Sequence, residues 1–506
     1  MRSGTLTAAA AVLIGALILP AAALAADDRA SAGAESPAAR TWEEARDVFF
    51  TTIDQLLARN PRSQDIGGKD MAALLDARKQ IPYLFERVML IAWQKHEPEY
   101  SEWLRKGDEA SLARFHGAFI ALARDYAGRF VGSLFRTAET QDFESALPHN
   151  RGKSRLDLVL QSLGFNARND LPDVPKEKWF TNAIAPDYRA HWTLDAVNAR
   201  PVAGSPTGKG VVVAVLDSGL DPYNSLFKDR TVPGFSFLRR TRPPWEQEDG
   251  PTIDWGYHGT VTASTVLLVA PEATIMPVRV FDGDTMNDPV YDYWLFELIA
   301  AGVYYAVHHG AHVIQIGAAL QASQPVVAEA VRDAYYHNVV ISSSAGNISR
   351  AFFGIDPAKQ LYRAFDTEVL LAGGVQKEGD QVRPWPHTVP NTFMDVVTPS
   401  QDVYVIAPVY APDLKDSYVA GTSLSSPILS GVIALMRSAA PPPASLLAQP
   451  AAYARLVAKC VRETASLSRI GLVERNDSVG EGLLDATAAI GAARRALAPG
   501  RKGTEN

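Results

Sequence analysis

The chain contains almost no cysteine, which removes one common means of stabilising a protein. Cys460 is the only cysteine among 506 residues, so no disulfide can form within the chain. No motif typical of a catalytic thiol surrounds it. We therefore expect a buried, unreactive side chain at this position.

Strong net charge and basic clusters are also missing. Lys and Arg number 49 against 56 Asp and Glu, so the formal net charge is −7, which is small for this length. The sequence therefore gives no reason to expect nucleic acid or an anionic membrane surface as a partner. Hydrophobic residues make up 47% of the chain, as in ordinary globular proteins, and the length is typical of two or three domains.

Long apolar runs are limited to the first 25 residues. Arg2 provides a positive start, residues 8–19 form an apolar run that is short for a bilayer span, and Ala23-Leu24-Ala25 resembles a cleavage site. This pattern predicts a signal peptide over residues 1–25, and hence export to a periplasm or to the outside of the cell. The alternative is an uncleaved membrane anchor. No second run of membrane length follows, so we expect no membrane span after cleavage.

Residues 26–165 differ in composition and periodicity from the rest of the chain. Small and polar residues over 26–40 predict a flexible tail. The capping-box pattern Thr41-Trp-Glu-Glu44 then predicts the start of a helix, and apolar residues follow at helical spacing to residue 57. Helical patterns recur over residues 71–93 and 112–134. Residues 41–165 are therefore predicted to form a separate all-α domain.

From residue 191 onward the pattern changes to alternating strands and helices. Residues 166–190, rich in Asn, Asp and Pro, predict a linker before this region. Apolar runs typical of strands buried on both faces lie at 211–216, 274–281, 313–316, 339–343, 369–372 and 403–407. Helical patterns lie between several of them, at 261–269, 291–308 and 326–336. This alternation predicts an α/β fold, a doubly wound and mostly parallel sheet with helices on both faces over residues 191–495, before a disordered tail at 496–506.

Three short motifs place a carboxylate, an imidazole and a hydroxyl at predicted ends of strands or helices. They are Val-Leu-Asp217-Ser-Gly, Tyr-His258-Gly-Thr and Gly-Thr-Ser423-Leu-Ser-Ser-Pro427. A serine hydroxyl is a weak nucleophile until a base removes its proton, and the base works best when a carboxylate orients it. Functional groups of an open parallel sheet collect beyond the carboxyl ends of its strands, so we expect these three groups to meet there.

A fourth segment, Ser344-Ala-Gly-Asn347, follows another predicted buried strand. The Asn347 amide can donate a hydrogen bond to the oxyanion of a tetrahedral intermediate, with the Ser423 backbone N–H as a second donor. Each motif alone is also compatible with an ordinary turn or helix cap. Their conjunction, in order and at element ends, favours a nucleophilic site.

The stretch from about residue 192 to residue 492 resembles the subtilisin-like (subtilase) serine peptidase family. Besides the motifs above, Gly480-Glu-Gly-Leu-Leu-Asp-Ala486 is similar to the family's closing segment, and the chain order Asp, His, Ser is that of subtilisin. The resemblance implies a serine endopeptidase. It implies as site residues Ser423 as nucleophile, His258 as general base and acid, Asp217 as the group that orients the histidine, and Asn347 in the oxyanion hole.

The same resemblance implies how a protein or peptide substrate binds. An extended peptide is expected to pair beside Val313-Ile-Gln315-Ile-Gly317-Ala318-Ala319, with Ser344, Ala345 and Gly346 as another wall of the primary pocket. Relatives usually carry Ser-Leu-Gly where this chain has Gly317-Ala318-Ala319, so its specificity is expected to differ. No cofactor is implied for catalysis. Many relatives bind structural calcium, but the sequence shows no identifiable ligand set for it.

Other interpretations remain for the whole chain and for its first domain. A sedolisin-type peptidase would need Glu and Asp where His258 and Asn347 stand, and an α/β-hydrolase would need Gly-x-Ser-x-Gly and another chain order. A catalytically silent binding protein on the same scaffold is the non-enzyme alternative. The helical domain either covers the cleft until it is cut off between residues 166 and 195, as in a zymogen, or stays as a docking module.

Overall fold

The computed structural model describes residues 36–59, 84–136, 176–237, 257–280, 291–317, 325–348, 365, 367–409 and 416–498. The predicted signal peptide, Ala318 and Ala319 lie outside these ranges. The described residues fall into an N-terminal helical unit and a larger α/β unit.

Three helices are described in the N-terminal unit: α1 (Pro37–Arg59), α2 (Leu84–Lys106) and α3 (Glu109–Arg136). Both α1 and α2 pack against α3. Their apolar faces meet in a core rich in aromatic rings, which includes Trp42, Phe49, Phe85, Trp93, Phe115 and Phe119. Large rings bury much apolar area, and this burial stabilises the unit. The prediction of a helical N-terminal region is confirmed for the described residues.

Helix α1 begins at Pro37, four residues before the predicted start. The Ser36 hydroxyl accepts a hydrogen bond from the Ala39 amide (3.2 Å), and proline suits the first helical position. Thr41 is already inside the helix, where its hydroxyl donates to the Pro37 carbonyl (2.9 Å). The start predicted at Thr41 was therefore wrong, and residues 37–40 of the predicted flexible tail are helical. The Ser-Pro pair was the start signal that the sequence analysis missed.

The α/β unit is built on one large sheet. Its described strands are β1 (Val212–Asp217), β2 (Phe235–Ser236), β3 (Thr274–Arg279), β4 (Val313–Ile316), β5 (Val340–Ser344), β6 (Val369–Glu378), β7 (Gln381–Pro384), β8 (Val396–Pro399), β9 (Val403–Val405) and β10 (Ser417–Val419). Among the described residues the main sheet has the order β2-β3-β1-β4-β5-β6-β7, and β8 also pairs with β6. Of the described strand pairs in this sheet, only β6–β7 is antiparallel. The predicted mostly parallel sheet is confirmed.

One predicted strand lies outside this sheet. The run at 403–407 was expected to join the parallel sheet, but β9 covers only Val403–Val405 and pairs antiparallel with β10 in a separate two-stranded sheet. That prediction was wrong because a short apolar run does not reveal its pairing partner. β2, β7 and β8 were not predicted, since they are short and their apolar patterns are weak.

Helices connect and cover the strands of the α/β unit. The described helices are α4 (Pro186–Ala190), α5 (Trp192–Ala196), α6 (His258–Val269), α7 (Tyr291–His308), α8 (Pro325–Tyr336), α9 (Ser425–Ala439), α10 (Ala444–Leu447), α11 (Ala452–Thr464) and α12 (Ala486–Leu497). Helix α9 is buried from Ser425 to Met436 because it packs against β4, β5, β6 and β8. Cys460 on α11 is buried, as predicted, and burial raises the pKa of its thiol. Within the described ranges, no helix combines the length and the apolarity that a bilayer crossing requires.

Part of the predicted linker is built into the α/β unit. Tyr188 on α4 is fully buried, and its hydroxyl donates to the Ser264 carbonyl on α6. The Phe180 amide donates to the Tyr223 carbonyl (2.7 Å). The end of the predicted 166–190 linker is therefore ordered and part of the α/β core. The composition of the segment could not reveal its ordered end, because the burial of Tyr188 depends on residues far along the chain, such as Ser264.

We predict that Tyr188→Ala lowers the free energy of unfolding of the α/β unit by about 3–5 kcal/mol, since it removes a fully buried ring and leaves a cavity. Urea unfolding measures this loss. Tyr336→Ala is the matched control because Tyr336 is 56% exposed, and its loss should stay below about 1 kcal/mol. Equal losses for the two variants would contradict the anchoring role of Tyr188.

A second prediction concerns acid stability. Burial and the nearby Arg437 lower the pKa of His312 to about 4, and its Nδ1 accepts a hydrogen bond from the Val212 amide (3.0 Å). An unfolded histidine takes up a proton near pH 6.5, so the unfolded state gains protons first as the pH falls. The free energy of unfolding should therefore decrease from about pH 6.5 to pH 4.

The variant His312→Gln keeps a hydrogen-bond acceptor but cannot be protonated in this range. Its free energy of unfolding should depend less steeply on pH than that of the parent chain. His387→Gln is the control because His387 is exposed, and it should keep the parent slope. An unchanged slope for His312→Gln would contradict the assignment.

Candidate active site

Asp217 is the last residue of β1 and is fully buried. β1 lies between β3 and β4, so the carboxylate is flanked by strands on both sides. A buried carboxylate is stable only when hydrogen-bond donors satisfy it. Its Oδ1 accepts from the Ser218 amide (2.7 Å), and its Oδ2 accepts from the Thr262 hydroxyl (3.1 Å).

His258 is the first residue of α6, and its imidazole meets this carboxylate. Nδ1 lies 2.8 Å from Oδ1 and 2.9 Å from Oδ2 of Asp217. The His258 side chain is 21% exposed, whereas Asp217 is fully buried. The carboxylate can only accept, so Nδ1 carries the proton in this pair. Nε2 then holds the lone pair, which is the tautomer that a general base needs.

Two glycines bring the start of α6 against the turn that follows β1. A β-carbon on Gly259 would lie 2.1 Å from the Gly219 carbonyl oxygen, so only glycine permits this approach. Gly219 itself has a φ of 120°, which L side chains rarely adopt. The Gly259 amide donates to the Ser218 hydroxyl (2.8 Å). The close approach of Gly259 to Gly219, together with this hydrogen bond, fixes His258 beside Asp217.

Ser423 lies in a 3-10 turn, Thr422–Leu424, directly before α9. It is partly exposed, while both neighbours are buried. This turn packs against α6, where Val261 joins Leu424 in one apolar cluster. Val261 is one helical turn after His258, so the serine turn lies beside the helix that begins with the histidine.

Asn347 follows β5 and is held in one orientation by Thr422. Its Oδ1 accepts from the backbone amide of Thr422 (2.8 Å) and from the Thr422 hydroxyl (2.8 Å). These bonds direct Nδ2 to the opposite side. A β-carbon on Gly421 would lie 3.6 Å from Asn347 Nδ2 and 3.1 Å from Ser423 Oγ. An amide donor and a serine hydroxyl therefore border the same small space.

The residues predicted to bind substrate have different positions. Gly317 follows β4 and lies against the Asp217–His258 pair, and its carbonyl accepts from the Ser344 hydroxyl (2.7 Å). Gln315 is fully buried, and its Nε2 donates to the Ser426 hydroxyl (3.1 Å) beneath the site. The predicted contribution of the Gln315 segment to substrate binding, by pairing with an extended peptide, stays a prediction.

The other wall lies close to the serine turn. The Gly346 amide donates to the Thr422 hydroxyl (3.1 Å), and Ala345 is fully buried. The backbone of Ser344–Gly346 is thus next to Ser423, although the Ala345 side chain faces the core. Ala318 and Ala319 lie outside the described residues, so their predicted contribution to the pocket stays a prediction.

Two supporting residues escaped the sequence analysis. Thr262 donates to Asp217, and it lies four residues after His258, so the spacing of one helical turn could have indicated it. Thr422 orients Asn347, and it stands inside the Gly-Thr-Ser motif that was noted for its serine. In the parts of the chain that the structure describes, no group of three or more His, Cys, Asp or Glu side chains is arranged to hold a metal ion.

Comparison with known proteins gives several similar serine proteases. The major intracellular serine protease of Bacillus subtilis (strain 168) is 28% identical over 241 residues, which are 46% of this chain and 69% of that protein. The intracellular serine protease of Paenibacillus polymyxa is 27% identical over 283 residues, 53% of this chain and 79% of that protein. The crystal structure of fervidolysin from Fervidobacterium pennivorans superimposes with a TM-score of 0.48 at 20% identity, covering 67% of this chain and 51% of that chain.

The family comparison covers the whole site. The model of the subtilase family matches residues 208–482, which is more than half of the 506 residues. This range contains Asp217, His258, Asn347 and Ser423. The chain therefore belongs to the subtilase family of serine proteases.

Proposed function

We propose that this chain is an exported serine endopeptidase that cleaves peptide bonds through an acyl-enzyme on Ser423. The observation that carries the proposal is the hydrogen bond between the buried Asp217 carboxylate and His258, beside the turn that contains Ser423 and orients Asn347 through Thr422. A nucleophile, a base, an orienting carboxylate and an amide donor are the four groups that acyl transfer from a peptide requires.

The chemical steps follow from these groups. Ser423 Oγ attacks the scissile carbonyl carbon while its proton moves to Nε2 of His258, and Asp217 stabilises the imidazolium that forms. The oxyanion accepts hydrogen bonds from Asn347 Nδ2 and from the Ser423 amide. The imidazolium then gives its proton to the leaving amine as the C–N bond breaks. Water attacks the acyl-enzyme by the same route and frees the acid product.

The substrate is proposed to be a protein or peptide in extended conformation. It would pass beside Gly317 and along the backbone of Ser344–Gly346, which borders the serine turn. Main-chain hydrogen bonds would supply affinity, and pockets for alternate side chains would supply selectivity. No cofactor is needed for the steps above, and a structural calcium ion stays an open prediction of the family resemblance.

Export and maturation are part of the proposal. The signal-peptide pattern over residues 1–25 supports export to a periplasm or to the outside of the cell. The helical unit is either a pro-region that is removed or a docking module that is kept. Because Tyr188 is buried in the α/β unit, removal should leave a chain that starts before this residue. N-terminal sequencing of the exported protein separates removal from a retained chain that starts near residue 26.

We predict that Ser423→Ala abolishes peptide hydrolysis, because an alanine has no nucleophile. Hydrolysis of a denatured-protein mixture, followed by mass spectrometry of the products, measures the loss and gives the cleavage sites. Wild-type activity should also disappear after treatment with a serine-directed phosphonate. Robust hydrolysis by Ser423→Ala would overturn the assignment, and binding of peptides without hydrolysis by the wild type would favour the silent binding protein.

The oxyanion role of Asn347 leads to a second expected result. Asn347→Ala should lower kcat by about 10²–10³-fold with little change in KM, because the lost donor acts on the transition state. Asn347→Asp is the matched control, since it keeps the shape but replaces the donor by an acceptor, and it should not restore kcat. A kcat near the wild-type value for Asn347→Asp would contradict a donor role.

The base role of His258 predicts loss of activity below about pH 6.5, where an imidazole becomes protonated. Acid unfolding could produce the same loss, so each sample is returned to about pH 8 and assayed again, with circular dichroism recorded at both values. Protonation of the base gives full recovery with an unchanged spectrum. A flat rate from about pH 8 to pH 5 in folded protein would contradict the assignment.

A further inference from the structure

Thr262 lies on the same side of α6 as His258, next to Asp217. It comes four residues after His258, about one helical turn, so both side chains reach the same carboxylate. The Thr262 hydroxyl is 3.1 Å from Asp217 Oδ2, and the Ser218 amide donates to Oδ1 (2.7 Å). His258 Nδ1 lies 2.8 Å from Oδ1 and 2.9 Å from Oδ2. Each carboxylate oxygen therefore has a donor besides the imidazole.

The Thr262 hydroxyl has one proton and two acceptors within reach. The second acceptor is the Gly259 carbonyl, also at 3.1 Å. This carbonyl belongs to the first turn of α6, where the backbone amide four residues later is its regular donor. A carboxylate is the stronger acceptor, because a hydrogen bond to a charged group is stronger than one to a neutral group. The proton of Thr262 is therefore directed to Asp217.

We propose that Thr262 is a positioning residue that lowers the pH at which His258 still works as a base. This inference rests on the proposed function. The Thr262 hydroxyl and a protonated imidazole both draw on the negative charge of the Asp217 carboxylate. A donor that already binds Oδ2 leaves less of that charge to stabilise the imidazolium. His258 therefore gives up its second proton at a lower pH than it would without the Thr262 hydroxyl.

Burial makes this competition between donors effective. Asp217 and Thr262 are both fully buried, and charges interact more strongly in such surroundings than in water. Among the described residues, Ser218, His258 and Thr262 supply the hydrogen bonds of the carboxylate. Loss of one of them changes a large part of what Asp217 binds.

Other ionisable groups around the pair are the same in every variant of the test. In the described elements packed against Asp217 and His258 they are Asp221 in the turn after β1, Arg279 on β3 and the exposed Tyr257 before α6. Arg279 is buried and in register with Asp217. The carboxylate of Asp221 accepts from two backbone amides. A difference between variants at position 262 is therefore due to the Thr262 side chain.

The experiment compares the full-length variants Thr262→Val and Thr262→Ser with wild type and with Thr265→Val. Valine keeps the shape of threonine without the hydroxyl, whereas serine keeps the hydroxyl. Thr265 is the matched control because it is equally buried in α6, but its hydroxyl donates to the Val261 carbonyl of the same helix (3.0 Å). Circular dichroism at about pH 8 shows which variants fold. If Thr262→Val does not fold, Thr262→Ala takes its place, since it also lacks the hydroxyl.

Two quantities are measured from about pH 5 to pH 9. The first is kcat/KM for peptide hydrolysis, whose acid limb reports protonation of the base in the free enzyme. The second is the rate of inactivation by diisopropyl fluorophosphate, a small reagent that depends on the nucleophile and the base without filling extended substrate pockets. Each sample is returned to about pH 8 and assayed again, which separates protonation from acid unfolding.

If Thr262 acts on the base, the acid limb of Thr262→Val should lie about 0.5–1 pH unit above that of wild type, the size expected when one hydrogen bond to a buried charge is lost. At about pH 5.5 its rate relative to pH 8 should then be about 3–10-fold lower than that of wild type. Inactivation by the reagent should show the same shift. Thr262→Ser and Thr265→Val should keep the wild-type limb.

Three results would overturn the inference. Thr262→Val with the wild-type limb would show that the hydroxyl does not act on His258. A shift shared by Thr262→Ser would assign the effect to the size of the side chain, and a shift to lower pH would mean that the carboxylate had moved away from the imidazole. Failure of the proposed function is a distinct result, since wild-type protein would then show no hydrolysis that depends on Ser423.

Discussion

The buried carboxylate of Asp217 determines how the elements at the centre of the α/β unit are arranged. Asp217 is fully buried between two strands, where an uncompensated charge costs several kcal/mol. Ser218, His258 and Thr262 provide its hydrogen bonds, and they come from the turn after β1 and the first two turns of α6. Satisfying this single charge therefore fixes the end of a strand against the start of a helix, and the imidazole position follows.

The serine turn depends on a second set of polar contacts. The Ser342 hydroxyl on β5 donates to the Ser426 carbonyl (3.0 Å), and the Thr398 hydroxyl on β8 donates to the Ser425 carbonyl (3.1 Å). Both carbonyls belong to the first turn of α9, immediately after Ser423. Side chains from two strands thus tie the helix start to the sheet. A site held by rigid elements keeps its geometry better than one on free loops.

The sequence predicted the positions of the chemistry-bearing residues in the fold better than the residues that support them. Asp217, His258, Asn347 and Ser423 each lie at or near the end of a strand or helix, and the apolar residues of these elements were visible in the sequence. The parallel sheet followed from alternation of strands and helices. The antiparallel pairing of β9 and the anchoring by Tyr188 were missed because both depend on partners that lie far along the chain.

The contact between Gly219 and Gly259 has a consequence for how sequences of this kind can diverge. It joins main chain to main chain, so the closest approach of the two segments that carry Asp217 and His258 does not depend on the size of a side chain. Apolar residues elsewhere in the core can then exchange size and shape without displacing the histidine. Low overall identity to other proteases is compatible with an intact pair, whereas a single methyl group at Gly259 would separate it.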